Sequence, residues 1–406
     1  MKVTPKNAVS VFATLGATIA LAACGSSSTK TTATTLGNSA TTATTVAVTA
    51  SAFTSDFSAM AQLKSLAAQG KGKIGVLLPD TTTSARYETF DRPYLTKAFQ
   101  AAGLTANDFK IDNAQGSAST MQTQAEADIT EGASVLLVDA IDSGSGAAIE
   151  ANAASKGVKV IDYDRLVKAG SSGRIYVSFD NVKVGQLIGQ GEVDCVAAWS
   201  VQKPNVLVMD GDPTDNNATL FAQGYNGVLK PLFDNNTYVK VGEPAGTWTP
   251  ATAAGTFTQQ YTAHKNINAV ITPNDDNANA NAVIAYLQSL SIPAKTFPTT
   301  GQDASLPGLQ NILKGYQCGT VYKPVYLEAQ GAAAVALYLR AGQTPPQSLV
   351  NGTTADGSTN VPSTLLPAVW VTTQNMQSTV VKDGAVKVSD LCITSLAAAC
   401  TAAGVS

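Results

Sequence analysis

The chain has 406 residues, room for one to three domains, and its 44% hydrophobic content is ample for buried cores. Charged residues make up 14% and the net charge is −3, with no basic patch to mark a nucleic-acid partner and no run of like charge to mark an interaction tail. There is one histidine, His264 in YTAHKNI, which reads as a surface residue at a helix end, so a His-rich metal site and a Ser-His-Asp triad have little to build on. No metal site and no cofactor are expected.

The first segment is for export. Lys2 and Lys6 form a positive start, and Ala8 to Ala22 is apolar but too short for a comfortable membrane span. It ends in Leu21-Ala22-Ala23-Cys24, which resembles the lipobox of bacterial lipoproteins. Residues 1–24 are therefore expected to be a lipoprotein signal peptide. Cys24, once lipidated, would anchor the chain to the outer face of the cell membrane. Residues 25–52 are rich in Ser, Thr, Ala and Gly and read as a linker.

After the linker, Phe53 to Gln69 has apolar residues three or four apart and predicts a helix. Strand patterns follow at 73–79, 109–111, 135–139 and 158–161, separated by helical patterns at 94–102, 120–131 and 146–156. A short strand pattern, Ile175 to Ser178, precedes Asp180-Asn181, which caps a helix running to Ala198. The cycle then repeats. Strands are expected at 205–211, 238–241, 269–272, 297–301 and 320–322, with helices at 218–232, 252–264, 277–290, 306–314 and 327–341. Pro345 to Pro362 reads as loop and Leu365 to Val371 as a strand. Alternation with short connections means βαβ units and parallel sheets, and two cycles of similar length imply two similar Rossmann-like lobes.

With Cys24 lipidated, Cys195, Cys318, Cys392 and Cys400 remain, an even count that suggests two disulfides with three possible connectivities. Cys392 and Cys400 flank a short helix-like segment and are paired here, which leaves Cys195 with Cys318. No CxxC or His/Cys spacing suggests zinc.

The chain is organised around residues 157–185, GVKVIDYDRLVKAGSSGRIYVSFDNVKVG. The strand at 158–161 runs out at Asp164-Arg165, an acid and a base at a strand's carboxyl end, where open α/β sheets bind ligands. YDRL followed by YVSFDNVKVGQL resembles the type I periplasmic-binding-protein family, the ribose/xylose-type sugar-binding proteins of bacterial ABC importers. GDPTDNNATLF (211–221), GQDASLPGL (301–309), TVYKP (320–324), VPSTLL (361–366) and STVVKDG (378–384) extend the resemblance in family order over residues 71–384. The linker, the extended final loop and the cysteine-bearing tail depart from the xylose-binding pattern. The resemblance implies two α/β lobes joined by three crossings, near Ser178–Asn181, Tyr322–Pro324 and Val361–Ala368. Residues 71–178 plus 325–361 would form the N-terminal lobe and 179–324 plus 362–406 the C-terminal lobe.

A sugar offers hydroxyls around an edge and an apolar ring face, so a good site supplies charged partners and aromatics. Asp164 and Arg165 match the family's Asp-Arg pair. Asn216 and Asn217 follow a strand, as do Asn274, Asp275 and Asp303. Lys323 sits at the second crossing. Arg86 and Tyr87, with Phe90 nearby, follow the first strand, and Trp248 in GTWTP matches a stacking aromatic. Each also has a plainer reading: Asx residues after strands are often turn formers or helix caps, and Phe90 and Trp248 can be packing residues. The resemblance implies a monomeric lipoprotein that binds a monosaccharide, D-xylose or one like it, and delivers it to ABC permease subunits. A sugar sensor docking on a receptor or kinase is the alternative. A glycoside-acting enzyme is disfavoured, because Arg and Lys neighbours are expected to keep Asp164, Asp275 and Asp303 ionised and leave no general acid. The export segment stands where the DNA-binding helices of related repressors would be.

Overall fold

Apolar strands buried on both faces and helices packed against them are what the hydrophobic pattern asks for. In the computed structural model, which describes residues 48–276 and 279–406, they form a seven-stranded sheet, a three-stranded sheet and a two-stranded pair. The expected signal peptide, Cys24 and the expected linker as far as residue 47 lie outside the described residues. The remainder of the expected linker is packed: Val48 is buried in the core and the Ala50 amide donates to Ser348 O. The predicted helix from 53 to 69 is broken into a 3-10 stretch, Ser58–Leu63, and a short helix α1, Lys64–Ala67. Phe57 in the left-handed region, at φ 67°, bends the chain before it.

The first sheet holds β1 (Lys73–Leu78), β2 (Phe109–Asn113), β3 (Ala133–Val138), β4 (Lys159–Tyr163) and β5 (Ile175–Phe179). All pair in parallel, in the order β5-β4-β3-β1-β2. Helices α2 (Arg92–Ala101), α3 (Ala118–Thr130) and α4 (Ser143–Ser155) make the crossovers. After α5 (Asn181–Ala198) the second lobe begins. Its sheet is β6 (Asn205–Val208), β7 (Val239–Gly242) and β8 (Ala269–Ile271), ordered β7-β6-β8, with α6 (Asn216–Asp234), α7 (Pro250–Ala263), α8 (Asn279–Ser289) and α9 (Leu306–Lys314) around it. The expected strand at 297–301 survives only as a single bridge, Thr299 to Val270. β9 (Thr320–Tyr322) leads into α10 (Val325–Arg340), which returns to the first sheet.

Residues 345–362, read as loop, contain a hairpin instead. β10 (Gly352–Ala355) pairs antiparallel with β11 (Asn360–Leu366), and β11 adds in parallel to β5. The turn hides its strand signal in polar residues. Asp356 accepts from the amides of Ser358 and Thr359, and Arg174 binds its carboxylate at 2.7 Å. The expected lobe boundary at residue 361 therefore falls inside a strand of the first sheet. The chain crosses for the third time between Leu366 and β12 (Val369–Val371), which pairs with β9. The other crossings run from Phe179 to Asn181 and from Tyr322 to Val325.

Short helices α11 (Val388–Leu391) and α12 (Ala397–Ala402) end the chain. Cys392 and Cys400 are bridged across them, and Cys195 on α5 is bridged to Cys318 before β9, with Cα–Cα distances of 5.9 and 6.0 Å. Among the described residues, no helix is long and apolar enough to cross a membrane.

One group in the second lobe is buried at a cost. Glu192 on α5 is fully buried, and neither carboxylate oxygen has a partner. Burial pushes its carboxyl up to about 8. Unfolded, it titrates near its model value of 4.5, so between pH 4.5 and 8 folding takes up a proton. That contribution is present below the unfolded value and is lost as pH rises through the folded one. From pH 5 to 8.5 the wild type should lose on the order of 3–5 kcal/mol relative to Glu192→Gln. Urea denaturation of both at several pH values measures this; parallel pH profiles would contradict it.

Candidate functional site

The carboxyl ends of the two sheets face each other, and the loops beyond them form the site. On the first lobe, β4 ends at Tyr163 and Asp164 turns into the left-handed region at φ 57°. The turn points the carboxylate towards the first-strand loop. Arg86 donates to it at 3.3 Å and the Tyr87 hydroxyl at 3.2 Å, and Lys323 lies 3.7 Å away. Burial alone would raise the Asp164 carboxyl, but Arg86, Lys323 and Arg165 outweigh it and hold it at about 2. Arg165 lies against Tyr87, donating to its hydroxyl at 3.0 Å, and pairs with Asp215 at 3.5 Å and Asp139 at 3.6 Å. Burial first, then the charge of Asp164, pushes the Asp139 carboxyl well up.

From the second lobe, Asp215 caps α6 by accepting the Asn217 amide, and its other oxygen accepts the Trp248 indole N–H at 3.1 Å. The indole lies flat on Gly211, where a Cβ would come within 2.0 Å of the ring, so only glycine fits beneath it. Phe221 lines the wall beside it. Asn217 ties the lobes: its Nδ2 donates to the Asp164 carbonyl at 2.9 Å, while its Oδ1 accepts from Tyr176 and from Asn181. Lys323, buried at the second crossing, pairs with Asp303 at 3.2 Å and lies near the faces of Phe179 and Phe221.

These groups line a small, partly open cavity of about 40 Å³ between the lobes. Its lining contains Tyr87, Asp164, Arg165, Asn217, Trp248, Asn274, Asp303 and Lys323 from the residues expected by sequence. Sequence reasoning missed Thr83, Ser84, Asp215, Phe221, Asp276 and Gln302, which line it as well. Two of these carry buried oxygens without a partner, Asp276 Oδ2 and Gln302 Oε1. Burial first, then Asp303, pushes Asp276 well up, so it can donate as well as accept. Unpaired acceptors facing a cavity are costly unless a ligand's hydroxyls reach them.

Four expected residues stand elsewhere. Asn216 is turned away by the helix and donates to Ala355 O. Asp275 faces inward, accepting from the Ser305 amide and from Gln317. Gly301 and Gly308 make room for it, since a Cβ at either would come within 2.6 Å of its carboxylate. With no cation beside it, burial pushes Asp275 up to about 6, which corrects the expectation that Arg and Lys keep it ionised. Phe90 stacks on Tyr94 at 6.0 Å and lines a neighbouring groove. Arg86 lies behind the cavity wall, bound to Asp91 at 2.7 Å and Glu328 at 2.6 Å as well as to Asp164, and so positions the acid. Among the described residues no cluster of His, Cys, Asp and Glu could hold a metal ion.

A model described as "Periplasmic binding protein domain" matches residues 74–344. The chain belongs to the periplasmic binding protein family. Within it, the chain is 36% identical to the D-xylose-binding periplasmic protein of Escherichia coli strain K12, over 81% of this chain and 96% of the relative. It is 32% identical to the multiple sugar-binding periplasmic receptor ChvE of Rhizobium radiobacter, over 80% and 93%. Among solved structures it is similar to a carbohydrate transporter solute-binding protein from Chloroflexus aurantiacus in complex with D-glucose, at 28% identity and a TM-score of 0.68, covering 78% of this chain and 97% of that one. A solute-binding protein from Clostridium phytofermentans with bound β-D-glucose matches at 26% and 0.68, covering 78% and 99%. The family's two-lobed α/β fold with a three-segment hinge is the architecture described above.

Arg86 neutralises buried carboxylates from three segments, so its removal tests whether it holds the site together. Arg86→Met should destabilise the protein by about 3–5 kcal/mol, since buried acids then lose their cation. Chemical denaturation measures this. A loss below about 1 kcal/mol, within the range of exposed pairs, would show that water or protonation replaces the arginine freely.

Proposed function

We propose that this chain is an extracytoplasmic solute-binding lipoprotein of an ABC importer, and that it holds one monosaccharide, D-xylose, between its two lobes without turning it over. The observation that carries the sugar reading is the cavity itself. It combines an ionised acceptor (Asp164), fixed donors (Arg165 and Lys323), buried oxygens awaiting hydroxyls (Asp276 and Gln302) and an indole beside them. That mixture suits a ring with hydroxyls on its edge and C–H groups on its face.

In this reading Asp164 accepts from one or two sugar hydroxyls, while Arg165 and Lys323 donate to neighbouring ones. Tyr87, Asn217, Asn274 and Asp303 complete the edge from both lobes. Trp248 and Phe221 cover the faces. Arg86, Phe90, Asn216 and Asp275 serve the surroundings of the site. The names of the relatives support a sugar, and two of them, D-xylose-binding periplasmic proteins, support xylose. The Leu-Ala-Ala-Cys24 sequence supports a lipid anchor on the outer face of the membrane, with the Ser/Thr/Ala-rich linker as a tether and permease subunits as partners of the monomer. A sensor role, in which the loaded form docks on a receptor, is the second reading; the word "receptor" in one relative's name favours it.

Titration calorimetry of the full chain against D-xylose, D-glucose, D-ribose and L-arabinose tests the proposal. One sugar per protein, strongest with D-xylose and unchanged after incubation, is expected. Asp164→Asn should weaken binding by about 2–5 kcal/mol, because the surrounding cations lose their charge partner. Absence of heat and of thermal stabilisation with every sugar would overturn the proposal.

A further inference from the structure

The cavity continues past one of its walls. Ser84 of the first lobe faces Asp276 of the second, and beyond them opens a groove of about 450 Å³, much larger than the cavity at about 40 Å³. Asp276 and Asp303 line both spaces. The groove therefore adjoins the cavity across the Ser84–Asp276 contact, and a substituent on a molecule in the cavity would enter it by parting that contact.

The groove is more apolar than the cavity, with Ala85, Ala304, Leu306, Ala385 and Val386 in its lining. Phe90 is its aromatic platform, half-buried and stacked on Tyr94. Pro307 stands exposed on the second lobe, an apolar surface for a ring. Around them Thr89, Ser305, Lys387 and Asp390 supply hydroxyls and both signs of charge, and Lys387 and Asp390 are exposed. A phosphate would meet three carboxylates, Asp276, Asp303 and Asp390. A neutral ring with hydroxyls on its edge suits the lining best.

We propose that this groove is a second sugar subsite, so that the cleft accepts a disaccharide of the xylobiose kind: one ring in the cavity, the glycosidic oxygen near Ser84 and Asp276, and the second ring on Phe90. This rests on the monosaccharide reading of the cavity. The test is titration of the full chain with D-xylose, D-glucose, xylobiose and cellobiose. Xylobiose should bind one to one and compete with xylose. Phe90→Ala should lower its affinity by roughly 3- to 10-fold and leave xylose affinity unchanged, as loss of one aromatic contact implies. Lys387→Ala, an exposed substitution that leaves folding intact, should act in the same selective way more weakly. A monosaccharide that binds while both disaccharides neither bind nor compete overturns the subsite alone. Equal losses for xylose and xylobiose in Phe90→Ala also overturn it, by placing Phe90 at the first ring. No binding of any sugar overturns the reading beneath it.

Discussion

The charge balance around Asp164 is the constraint on which the rest of the structure depends. Three buried cations, Arg86, Arg165 and Lys323, come from the first-strand loop, the end of β4 and the second crossing. They meet more carboxylates than they can neutralise: Asp91, Asp139, Asp164, Asp215, Asp303 and Glu328. The excess shows in how the carboxyls are shifted. Burial pushes Asp139 well up, and it raises Glu328 to about 8 even with Arg86 beside it, while Asp164 stays ionised at about 2. Asp164 is thus the member of the cluster held most firmly as an anion. Since these groups span the first lobe, the second lobe and the hinge, binding chemistry and hinge architecture are the same set of side chains.

Closure follows from the same geometry. Outside the cavity, Lys168 donates to Pro213 O at 2.8 Å and to Thr219 at 3.0 Å, and Ser143 donates to Thr214 O at 3.0 Å. These link the rims of the two lobes without lining the cavity. They are few and partly solvated, worth about 1 kcal/mol each at most. A ligand that bonds Asp164 and Arg165 on one side and Asp276 and Trp248 on the other adds differential affinity for the closed form, which is what shifts a two-state hinge.

Much of this was legible in the sequence. Strand ends are marked by where apolar runs stop, so Asp164, Arg165 and Lys323 were read from position. What was missed turns on the rotation of single residues. In DPTDNNA a one-residue change in where α6 begins decides which side chains face the cleft; Asp215 is the cap and does, and Asn216 does not. Asp275 and Asp276 are equivalent in composition, and only the space left by Gly301 and Gly308 shows which one turns inward. The hairpin at 352–366 was hidden because its strands are short and polar, with Thr353, Thr354, Ser363 and Thr364 in place of large apolar residues, and its order comes from Arg174 and Asp356 at long range. Phe90 was placed by proximity to Arg86, but a π-turn over Tyr87–Asp91 rotates it into the adjoining groove.

The central claim is that a sugar held by both lobes closes them. Small-angle scattering of the full chain, with and without saturating D-xylose, tests it most directly. The account predicts a smaller radius of gyration with sugar, in line with hinge closure at three short crossings. Superposable curves, from a sample in which calorimetry shows full occupancy, would contradict it.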